Sequence, residues 1–253
     1  MNEAHPPEET FVSHLIELRD RLLRAIIAVA VVFICLVPWA NRIYDMLAAP
    51  LMAVLPAGMH MIATGVVTPF LVPIKVTMLV AFVLSLPYVL YQVWAFVAPG
   101  LYAHERRFAL PLVFASTMLF LAGMAFCYFL VFRLAFGFIA KIKPESVQLA
   151  PDIEQYLSFV MTMFIAFGAT FEVPVAVVLL ARAGIVSVEK LREVRPYVIV
   201  GAFIVAAVVT PPDAISQIML AVPICLLYEA GLFIARLIAR PTAVPAADTE
   251  PTK

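Results

Sequence analysis

Charge is what this chain has least of. Asp, Glu, Lys and Arg make up 13% of the 253 residues against 64% apolar residues, and acids and bases are 17 each. So much apolar surface cannot be folded into a soluble core, and a zero net charge leaves no field to gather nucleic acid. Histidine is scarce as well: His5, His14, His60 and His104 all fall in loops or at interfaces, outside the long uncharged runs. An intramembrane hydrolase needs a nucleophile and a base in one cavity, and the His-Glu-x-x-His and P-loop patterns are also missing. An enzyme is therefore the weakest reading, and no cofactor or metal is expected. The three cysteines, Cys35, Cys127 and Cys225, lie inside apolar runs, where a thiol acts as a small hydrophobe more readily than as a disulfide partner.

What the chain does have is long uncharged runs. Phe11, Leu15, Ile16, Leu18, Leu22 and Leu23 line one face of a helix whose other face carries Ser13, His14, Glu17, Arg21 and Arg24, an interfacial lead-in to the uncharged stretch Ala25 to Ala40. The expected fold is an all-α polytopic membrane protein forming one domain over 1–240. Six spans are expected at about 22–41, 73–96, 108–136, 156–181, 196–210 and 214–235, with a disordered tail over 241–253. The lead-in reads as retained, because its apolar run exceeds a usual signal-peptide core.

Asn41 to about Phe70 holds Pro50, Pro56 and Pro69 with Gly58 and Gly65, too broken to cross the bilayer as a helix, and a second external segment runs from about Phe138 to Gln155. The fifth run, Pro196 to Thr210, covers about 22 Å as a helix, short of ~30 Å of hydrocarbon. The fifth and sixth spans are both expected to be short and to thin the bilayer beside them or tilt. Twelve basic residues, among them Arg19, Arg106, Arg182, Arg195 and Arg240, fall on one side of this topology, and only Arg42, Arg133, Lys141, Lys143 and Lys75 on the other. That asymmetry places both termini in the cytoplasm.

The sharpest edge is Leu86 to Arg107, where Tyr88, Tyr91, Trp94, Phe96 and Tyr102 form an aromatic belt, Pro99-Gly100 breaks the helix, and Glu105 follows beside Arg106 and Arg107. Read from the residues alone, Glu105 is either a functional carboxylate or a helix-end charge paired with its neighbours, and Glu17 is either functional or the partner of Arg21 one turn on. Glu172, inside the fourth span, costs a few kcal/mol to bury and counts as functional by default. Its bland account is that Pro174 frees backbone carbonyls to which a protonated carboxyl could donate. Glu229 sits near a span end and could snorkel.

The segments HLIELRDRL (14–22), AAPL (48–51), LPYVLYQVWAFVAPGLYAHERR (86–107), FGATFEVPVA (167–176), RPYVIVGAF (195–203) and TPPDAISQ (210–217) resemble, in order, the TatC family of the twin-arginine protein translocase. The resemblance runs from about residue 10 to residue 236 and is strongest to the proteobacterial form. It implies a six-span, cup-shaped, multi-pass protein of the bacterial cell inner membrane. Such a protein receives folded precursors bearing twin-arginine signal peptides and organises the single-span subunits TatA and TatB, with export driven by the proton gradient. Self-association in the complex is implied too, and no nucleic acid. By the same resemblance, Glu17 and Glu105 receive the signal's arginines, Arg19 and Phe96 share that surface, Thr210 and Gln217 form the docking patch for single-span partners, Pro50 and Asp213 serve the external face, and Glu172 is the membrane-interior carboxylate. A secondary transporter of a small solute is the alternative, but the halves 1–126 and 127–253 show no repeat of the kind such proteins carry.

Overall fold

The structure, a computed structural model, describes residues 7–46, 62–97, 106–135, 152–210 and 214–238. Among them regular structure is helical, apart from one isolated parallel bridge between Ile62 and Asp152. Helix α1 is Pro7–Leu36, continued by a 3-10 turn Val37–Trp39 to Met46. Helix α2 is Thr68–Val97, and α3 is Arg106–Phe126, which widens into a π turn at Cys127–Val131 and ends at Ala135. Then come α4 Ile153–Phe171, α5 Val173–Arg182, α6 Val188–Glu193, α7 Arg195–Val209 and α8 Ala214–Ile238.

Among the described residues five helical stretches are long and apolar enough to cross a membrane: Val12–Met46, Thr68–Val97, Leu110–Ala135, Ile153–Arg182 and Gln217–Ile238. The sixth apolar helix, α7, has 15 residues and stays short, as expected. The sixth span is not short. Helix α8 has 25 residues, about 37 Å at 1.5 Å per residue, because Pro223 is absorbed within it and does not end it. The amphipathic lead-in is likewise not a separate element, since it and the first span form one 30-residue helix. Helix α2 also starts inside the segment read as loop, because Pro69 occupies its first turn, where a missing N–H costs nothing.

Large apolar side chains face outward in numbers no soluble protein would tolerate, as at Leu110, Tyr197 and Val208, about four-fifths exposed. Helix α1 packs along α2, α3 along α4, α5 along α8, and α7 along α8. Glycine allows the closest of these approaches. A Cβ on Gly123 of α3 would fall 2.4 Å from the Phe167 carbonyl oxygen of α4, and one on Gly168 of α4 would fall 2.3 Å from the Phe120 ring of α3. A Cβ on Gly231 of α8 would meet the Pro174 Cα of α5 at 2.8 Å. The α3–α4 register is thereby set: Gly123 lies against Phe167, Phe120 against Gly168, and one further turn along, Ser116 comes opposite Glu172.

One end of the bundle is closed by polar side chains. Asp152 caps α4 by accepting from the backbone N–H groups of Glu154 at 2.9 Å and Gln155 at 3.1 Å. It also accepts from the Thr64 hydroxyl and from the Thr64 N–H at 3.0 Å, tying the segment before α2 to the start of α4. Glu154 takes the Thr68 hydroxyl at 3.0 Å and the Lys75 ammonium. The Thr64 hydroxyl foremost, with the backbone N–H groups of Gln155, Thr64 and Glu154, holds the Asp152 carboxyl down, from its ordinary 3.8 to about 2. Lys75, counted from sequence among the basic residues of the outer side, is half of an ion pair between α2 and α4.

Candidate functional site

At the opposite end, the start of α1 lies against the last turn of α2. The His14 and Phe96 rings stack with centroids 4.4 Å apart and planes 18° from parallel. One turn further along α1, Glu17 holds a guanidinium: Arg21 donates through Nε at 2.8 Å and Nη2 at 2.7 Å, both to Oε1. This is the local pair anticipated for Glu17, and both partners remain partly open to solvent. The pair sets a carboxylate against a guanidinium in surroundings neither fully wet nor fully buried. Arg19 points elsewhere, is exposed, and pairs with Asp20 through two nitrogens at 2.9 and 3.1 Å. Glu105 lies outside the described residues, as do Pro50 and Asp213.

Glu172 ends α4 and starts the break before α5, with φ −77° and ψ −15° and Pro174 in the next first turn. Its carboxyl is not used as the sequence suggested. Instead of donating to a carbonyl freed by Pro174, it faces α3, where the Ser116 hydroxyl donates to Oε2 at 2.7 Å. Ser116 in turn accepts from the Trp94 indole Nε1 of α2 at 2.8 Å. The chain Trp94, Ser116, Glu172 thus links three helices inside the bilayer, bedded in an apolar cluster of Leu86, Leu90, Phe120 and Leu179. Glu172 Oε1 is buried and meets no hydrogen-bond partner among the described residues. Neither Trp94 nor Ser116 stood out in the sequence as a partner of Glu172. Trp94 looked like part of an interfacial belt, and a lone serine in an uncharged run gives no signal of its own.

Of the two residues expected to form a docking patch, Thr210 follows the end of α7 and Gln217 lies in the first turn of α8. Thr210 is buried, and its hydroxyl donates back to the Ala206 carbonyl at 2.8 Å, while Gln217 Nε2 reaches the Phe203 carbonyl at 3.3 Å. Both side chains therefore turn their polar atoms onto α7 backbone. Glu229 does not merely snorkel, because its carboxylate binds Arg195 Nη2 at 2.6 Å and fastens α8 to the start of α7. The Tyr228 hydroxyl adds a bond to the Leu191 carbonyl of α6 at 2.6 Å.

A family model described as Sec-independent protein translocase protein (TatC) matches residues 13–223. The chain is 58% identical over 228 residues to the Sec-independent protein translocase protein TatC of Escherichia coli (strain K12), covering 90% of this chain and 88% of that protein. It is 53% identical over 236 residues to the TatC of Haemophilus influenzae, covering 93% and 91%. A crystal structure described as the twin-arginine translocase receptor TatC superposes with a TM-score of 0.78 at 36% identity, covering 88% of this chain and 98% of that one. Helix content, the order of spans, the six motifs and these relatives agree: the chain belongs to the TatC family of Sec-independent protein translocase proteins.

Proposed function

We propose that this chain is the signal-recognising subunit of a twin-arginine translocase in the bacterial inner membrane, with both termini cytoplasmic. It is one membrane domain over 1–240 with a tail over 241–253. The end bearing His14, Glu17 and Phe96 is its cytoplasmic face, as the placement of twelve of the seventeen basic residues supports. There the paired arginines of a signal peptide on a folded precursor meet Glu105 and Glu17, while Arg19 and Phe96 complete the surface. Thr210 and Gln217 mark where the single-span subunits TatA and TatB dock, and further copies of the chain join the complex. Pro50 and Asp213 shape the outer face, and export is driven by the proton gradient.

The observation that carries this reading is the guanidinium already held by Glu17, one helical turn from the His14–Phe96 stack. An incoming arginine exchanges with Arg21 at little cost in geometry, and a charged hydrogen bond partly shielded from water contributes about 1.5 to 3 kcal/mol against about 0 to 1 for an exposed pair. A lysine keeps the charge and loses the fork, so twin-lysine signals bind more weakly.

Photo-crosslinking of a twin-arginine signal peptide to membranes carrying Glu105→Ala tests the assignment: labelling is lost if Glu105 is the principal acceptor, and undiminished labelling sinks it. Glu172→Ala is expected to keep surface labelling while blocking later insertion or partner contact. Equal loss in both variants overturns that division of labour.

A further inference from the structure

The hydrogen-bond chain from Trp94 through Ser116 to Glu172 does more than satisfy three polar groups. Trp94 lies two residues before Phe96 on the same helix, so its indole moves with the turn that carries the recognition surface. Ser116 serves both neighbours at once, accepting the indole N–H on a lone pair and donating its proton to Glu172 Oε2. The carboxyl is thereby held from one side, with Oε1 buried and without a hydrogen-bond partner among the described residues. The close approach at Gly123 and Gly168 sets the α3–α4 register that brings Ser116 opposite Glu172. A displacement of the α2 end is therefore delivered to Glu172 through two short bonds.

We propose that Trp94 and Ser116 are positioning residues that fix the orientation of the Glu172 carboxyl and tie it to the last turn of α2, so that occupancy of the cytoplasmic surface is felt by the membrane-interior carboxylate. The link between occupancy and Glu172 rests on the recognition role proposed above; the positioning itself does not. The physical requirement is a contiguous network with a defined geometry at each joint, and it is present.

The chain contains two tryptophans, Trp39 and Trp94, so the full-length Trp39→Phe protein in nanodiscs reports Trp94 alone. In that background Ser116→Ala and Glu172→Leu are each expected to shift the Trp94 emission, and Ser116→Thr, which keeps the hydroxyl, to restore it. Binding of a labelled, tryptophan-free twin-arginine peptide, followed by anisotropy, is expected to move the Trp94 emission in the parent but not in Ser116→Ala. Ser116→Ala should bind the peptide within about twofold of the parent while export of a folded reporter falls by about fivefold or more, and Ser116→Thr should recover export. An emission identical in parent, Ser116→Ala and Glu172→Leu overturns the positioning role. A bound peptide that leaves Trp94 unmoved, or moves it equally without Ser116, overturns the coupling. Absence of peptide binding in the parent would instead overturn the recognition role and the coupling built on it, while the comparison of variants still decides the positioning.

Discussion

Replacing Gly123 by alanine adds one carbon at the tightest point of the α3–α4 crossing. That carbon would lie 2.4 Å from the Phe167 carbonyl oxygen and 2.9 Å from its carbon, both backbone atoms that no rotamer change can remove. Restoring ordinary contact requires the two backbones to part by about 1 Å, in an interior packed to crystal-like density. Overpacking of this kind costs about 1 to 3 kcal/mol. Alanine in a helix returns at most about 1 kcal/mol relative to glycine, so the net loss is about 0 to 2 kcal/mol. Gly201→Ala is the control, since nothing lies within 4 Å of a Cβ there. A thiol-reactive dye reads the outcome in detergent, because Cys127 is fully buried beside the same crossing and labels only when α3 and α4 separate. With Cys35 and Cys225 changed to serine, Gly123→Ala is expected to lower the midpoint of thermal labelling while Gly201→Ala holds or raises it. If the two variants behave alike, the glycine contact does not set the crossing.

Other perturbations separate the remaining contacts. The Asp152 carboxyl is held at about 2 against an ordinary 3.8, so its contribution is fully present above about pH 4 and is lost as pH falls toward 2. A spin label at the fully exposed Val66, in a cysteine-free background, is expected to gain mobility over that window, and to be mobile already at neutral pH in Asp152→Ala. An unchanged spectrum in Asp152→Ala would dismiss the clasp. Tyr228→Phe removes the bond to the Leu191 carbonyl and should cost about 1 kcal/mol of stability in detergent unfolding. Glu229→Gln, which weakens a partly exposed pair with Arg195, should cost less than about 1 kcal/mol in the same assay, and a larger loss would mean that the pair is better shielded than its exposure indicates.

The membrane class, the all-helical fold and the family were legible along the chain, because uncharged runs, proline-broken loops and ordered motifs are properties of neighbouring residues. Even there, a local signal misled where a proline had more than one use: Pro69 opens α2, although it read as one of the breaks in a loop. For the candidate site, the sequence named Glu17 with Arg21 four residues away, a partner one helical turn can supply. It also marked Glu172 as a charge in the wrong medium, without showing what the charge would meet.

Partners far apart in sequence were decided by tertiary structure alone. Lys75 found Glu154, Arg195 found Glu229, and Ser116 found Glu172 across 56 residues. The physical reason lies in the register between helices. Composition makes α3 and α4 membrane helices whichever way they are rotated or slid, but only the approach permitted where Gly123 meets Phe167 and Gly168 meets Phe120 brings Ser116 opposite Glu172.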